Sequence, residues 1–115
     1  GQIFGGLLRR DDSEDRLRFV GEEAVLTPQE YFTRIAGEAP GESPVFASTT
    51  PESAGLAIAA SPFAGSRLQE VSSELAPWIG RLGLARSRRG EVVDAVGLQA
   101  NYVRRSDAEM KWREV

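Results

Sequence analysis

Ala24-Val25-Leu26-Thr27-Pro28-Gln29-Glu30-Tyr31-Phe32 carries the chain out of an apolar run and into a helix. Thr27 offers a hydroxyl to an orphan amide, and Pro28 stands where a helix has no use for its missing donor. Glu30, three residues after Thr27, can reach back to the threonine's own N–H and complete a capping box. Tyr31, Phe32 and Ile35 share one face of the helix that follows, and Gly37 closes it. A helix start this sharp, set among short apolar runs that suit strands, marks a mixed α/β chain.

Upstream, residues 2–9 suit a strand in which Gly5 and Gly6 mark a bulge or a close backbone approach. Residues 11–15, Asp-Asp-Ser-Glu-Asp, are too charged for a core and read as an exposed turn. Residues 16–20 alternate, with Arg16 and Arg18 opposite Leu17 and Phe19, so the two strands form a hairpin. Downstream of the helix, 39–43 is a loop with Pro40 and Gly41, and Val45-Phe46-Ala47 reads as a short buried strand. Thr50-Pro51-Glu52-Ser53 repeats the Thr-Pro helix opening, followed by Leu56 and Ile58 and a break at 61–65. Val71, Leu75, Trp78, Ile79 and Leu82 then recur at helical spacing, with Trp78 expected in the core and Pro77 marking a start or a bend. Arg86, Arg88 and Arg89 suit the carbonyl end of that helix and Gly90 its cap. Val92 and Val93 fall in a connection, and 100–104 reads as a last strand. The expected order is β-β-α-β-α-α-β, an α/β chain of the mixed α+β kind, with residues 1–115 forming one domain.

A chain of 115 residues supports a single core that buries about two-thirds of its unfolded surface. It contains neither Cys nor His. That excludes a disulfide framework, Cys–His dyads, Ser–His–Asp triads and thiolate or imidazole metal sites within these residues. No apolar run approaches the ~20 residues that cross a bilayer, and no signal-peptide pattern occurs. Charge is uneven. Residues 1–77 carry six Arg against twelve acids, whereas 78–115 carry eight cations against five acids. The basic third could meet phosphate; a solvated face written in Arg accounts for the same residues. The opening at Gly1-Gln2-Ile3, already strand-like and without Met, reads as a piece of a longer protein.

The glycines lack the spacing of a nucleotide loop, and no Gly-Lys-Ser/Thr occurs. Ser48-Thr49-Thr50 precede a helix N-terminus, where an anion can sit; capping by Thr50 is the simpler expectation. The acidic run 11–15 lacks the Gly and terminal Glu of an EF-hand loop and reads as a solvated turn. Arg86, Arg88, Arg89, Arg104 and Arg105 form one basic patch if the helix end meets the tail. Trp112, in a charged tail, is expected to dock on its own domain or on another chain.

Three segments resemble one family. Gly1-Gln2-Ile3-Phe4-Gly5-Gly6-Leu7 is similar to the strand after its Asp-Ala-Arg motif. Leu26-Thr27-Pro28-Gln29-Glu30 is similar to its Leu-Ser/Thr-Pro-Glu-Glu helix opening. Tyr102-Val103-Arg104-Arg105-Ser106-Asp107-Ala108-Glu109 is similar to its ending. The family is that of TsaB (YeaZ-like, glycoprotease-like) proteins, non-catalytic partners in bacterial tRNA threonylcarbamoyladenosine synthesis, and the chain resembles their C-terminal half. The resemblance implies the second lobe of an actin-like, ribonuclease-H-like fold, in a cytoplasmic scaffold subunit without catalytic residue, metal, cofactor or membrane contact. It implies partnership with the catalytic threonylcarbamoyltransferase TsaD and the ATPase TsaE, mainly through the first lobe. It also implies indirect contact with tRNA, and allows a homodimer. Where the family often has Gly-Asp-Gly after the central strand, this chain has Ala47-Ser48-Thr49-Thr50, which argues against nucleotide contact there. Arg104, Arg105, Asp107, Glu109 and Trp112 are the candidate interaction residues, expected to order the tail. A glycoprotease-like hydrolase fragment and an Arg-rich tRNA-binding module are the alternative readings.

Overall fold

The computed structural model describes residues 1–11, 13 and 16–99. Among these the chain is a mixed α/β fold of two small two-stranded sheets and three helices, in the order β-β-α-β-α-β-α. Strands β1 (Ile3–Asp11) and β2 (Arg16–Leu26) form the expected antiparallel hairpin, with Ile3 opposite Leu26 and Asp11 opposite Arg16. The turn is held by local polarity: Asp11 accepts from the Ser13 amide and hydroxyl and pairs with Arg18 at 2.8 Å. The register slips between Gly5 and Leu7. Gly21, at φ 75°, takes up the left-handed bend on the opposite strand, so β2 runs on to Leu26 instead of stopping at Val20.

Helix α1 (Pro28–Glu38) begins as its sequence dictates. The Glu30 amide donates to the Thr27 hydroxyl at 3.4 Å, and the Glu30 carboxylate accepts from the Thr27 amide at 3.0 Å. The helix runs one residue past Gly37 and is capped at Ala39, whose N–H donates to the Ile35 carbonyl. Strands β3 (Phe46–Ser48) and β4 (Leu68–Glu70) pair in parallel around helix α2 (Pro51–Ala59), giving a β-α-β unit. Helix α3 (Ala76–Arg88) follows.

The core is small, and α1 is its centre. Phe32, Ile35, Ala39 and Ile58 are the buried apolar residues among those described. The Phe32 ring meets Phe46 and Phe63 at centroid distances of 5.8 and 6.0 Å, which ties α1 to the β-α-β unit. On the hairpin side, Tyr31 lies so close to Gly5 that a Cβ there would stand 2.7 Å from its hydroxyl. One helix therefore joins both sheets.

Four expectations need correction. The strand expected as buried at Val45-Phe46-Ala47 runs Phe46–Ser48 and is not buried, with Ala47 exposed and Val45 outside it. Leu68–Glu70 is a strand between α2 and α3, so the order β-β-α-β-α-α-β is incomplete. Three residues are too few to show a period, and their strand character comes from the ladder with Phe46–Ser48. Trp78 is not core: it is 57% exposed, and no residue of α3 is buried. Helical spacing reports an apolar face without saying what covers it. Thr50 does not cap α2 with its side chain; the Ser48 hydroxyl instead accepts from the Thr50 amide at 3.0 Å. Pro77 falls in the first turn, so α3 starts there and is not bent, and Gly90 at φ 76° lies just past its end. The strand expected at 100–104 lies outside the described residues. No described helix is long and apolar enough to cross a membrane.

Candidate functional site: the cleft between the two sheets

β1 and β3 face each other across a seam that opens into two clefts of about 680 and 690 Å³. Both are lined by Gly6, Tyr31, Phe46 and Ala47. The first cleft reaches the N-terminal end of β1, the C-terminal end of β3 and the start of α2. The sequence builds it by placing glycines on one strand, where Tyr31 needs room, and small hydroxyl residues where β3 turns into α2. The C-terminal ends of parallel strands are where β-α-β units present ligand sites.

The chemistry of the first cleft is neutral. Tyr31, Phe32, Phe46 and Ile58 supply apolar walls, and Ser48, Thr49, Thr50 and Ser53 supply hydroxyls. Part of that hydroxyl set is already engaged: Ser48 holds the Thr50 amide, and the Ser53 hydroxyl donates to the Thr50 carbonyl at 3.2 Å. Among the described residues no acidic or basic side chain lines this cleft. Burial pushes the Tyr31 phenol above its ordinary range; the Arg34 charge opposes that shift and the Glu38 charge adds to it. A phenol held neutral serves packing and hydrogen bonding, not proton abstraction at neutral pH. The second cleft is bordered by Arg9 and Glu42, which form an ion pair with each other across it.

A charged cluster among the described residues lies elsewhere. Glu91, just beyond α3, receives Arg89 at 2.7 Å, Arg86 at 3.3 Å and, from the hairpin turn, Arg16 at 3.9 Å. The hydrogen bond from Arg89 holds the Glu91 carboxyl below its usual range, burial works against that, and the charges of Arg89, Arg86 and Arg16 add to it. Two of the arginines expected in a basic patch are thus drawn onto a carboxylate. Glu91 had a sequence signal in its closeness to Arg86 and Arg89. Arg16 had none, because only the fold brings it there.

Arg104, Arg105, Asp107, Glu109 and Trp112 lie outside the described residues. Among the described residues no polar or charged side chain is buried, and no group of three or more Asp or Glu is placed to hold a metal ion. No family model, no curated protein and no solved structure matches this chain.

Proposed function

We propose that the chain is the second lobe of a TsaB-like scaffold subunit, supporting threonylcarbamoyl transfer to an adenosine of tRNA without performing it. The observation that carries this reading is the trio of resembling segments at residues 1–7, 26–30 and 102–109. Two of them are neighbours in space: Ile3 pairs with Leu26, and Gly1 to Gly6 share a cleft wall with Pro28 and Tyr31. The neutral cleft and the lack of buried ionisable groups among the described residues favour a packing and docking role. On this reading the two sheets are halves of one ribonuclease-H-like sheet ordered β2-β1-β3-β4, with the seam between β1 and β3 at its middle. The partners that follow are a TsaD-type catalytic subunit and a TsaE-type ATPase.

Deleting the coding sequence from its host and measuring threonylcarbamoyladenosine in hydrolysed bulk tRNA tests the proposal. The nucleoside should fall sharply and return on complementation. An unchanged level overturns it. The Arg-rich tRNA-binding alternative is weakened by Glu91, which already gathers Arg16, Arg86 and Arg89.

A further inference from the structure

We draw no further inference here: the strongest candidate, the neutral cleft between β1 and β3 with its hydroxyl rim of Ser48, Thr49 and Thr50 at the start of α2, rests on a helix N-terminus alone, with no buried side-chain polar atom lacking a hydrogen-bond partner among the described residues to point to a ligand.

Discussion

Phe32→Ala should remove much of the stability of this domain, because one ring holds its two halves together. The side chain is 4% exposed and makes edge contacts with Tyr31 at 5.7 Å and Phe46 at 5.8 Å, and a tilted one with Phe63 at 6.0 Å. Truncating a buried phenylalanine costs about 3–5 kcal/mol, from lost transfer energy and the cavity left behind. Small domains hold only about 5–15 kcal/mol in total. With four buried apolar residues described, this one belongs at the low end of that range. The variant should therefore be partly unfolded at room temperature, and urea denaturation followed by far-UV circular dichroism should show its midpoint shifted close to zero denaturant. Phe32→Leu keeps more of the volume and should lose less. Leu56→Ala is the control: Leu56 is 76% exposed on α2, and its loss should stay within about 0.5 kcal/mol. If Phe32→Ala and Leu56→Ala cost the same, α1 is not the element that joins hairpin to β-α-β unit, and the account of the core is wrong.

Other expectations follow from single contacts. Gly21→Ala should cost about 1–2 kcal/mol, the penalty for an L-residue in the left-handed region; Gly21→Asn should cost less, and equal melting temperatures for all three proteins would refute the strain. The new Cβ would also stand 2.8 Å from the Arg34 guanidinium, so the bond from Arg34 to the Glu22 carbonyl should loosen. Thr27→Ala should cost about 1 kcal/mol, as capping residues do. The hydrogen bonds from the Thr27 hydroxyl and amide hold the Glu30 carboxyl below its usual range, with burial working slightly against them. A depressed folded-state pKa gives stability that is present above the ordinary Glu value and lost as pH falls through the folded one. Amide protection at residues 29–31 should therefore drop below about pH 4 in the wild type and show a smaller step in Thr27→Ala, whose amide can still donate to the Glu30 carboxylate. Glu91→Gln should leave the unfolding midpoint unchanged, since exposed ion pairs contribute little, while amide exchange at the end of α3 becomes faster. A large fall in the midpoint would show that the cluster organises more than the helix end.

What could be read from the sequence was whatever local chemistry decides. Thr27, Pro28 and Glu30 specify a helix start through bonds that span three residues, and the structure forms those bonds. The hairpin was equally legible, because alternation and an acidic turn are local signals. β4 was not, since Leu68-Gln69-Glu70 becomes a strand only by pairing with residues more than twenty positions earlier. The cap of α2 failed for a related reason. Ser48 and Thr50 can both serve that turn, and backbone geometry chose Ser48. Tyr31 in the seam was visible as an apolar helix residue, but its position over Gly5 depended on the bulge beside it.

Trp78 shows where pattern reading reaches its boundary. The spacing of Val71, Leu75, Trp78, Ile79 and Leu82 marks a helix, but only Trp78, Ile79 and Leu82 fall within α3, and their apolar face is exposed among the described residues. Periodicity encodes that a surface is to be covered, and it is silent on whether the cover lies in the same chain. Phe4, Leu8, Leu17 and Phe19 make the same point on the hairpin. A two-stranded sheet with a bare apolar face is marginal alone and gains stability when a helix lies on it.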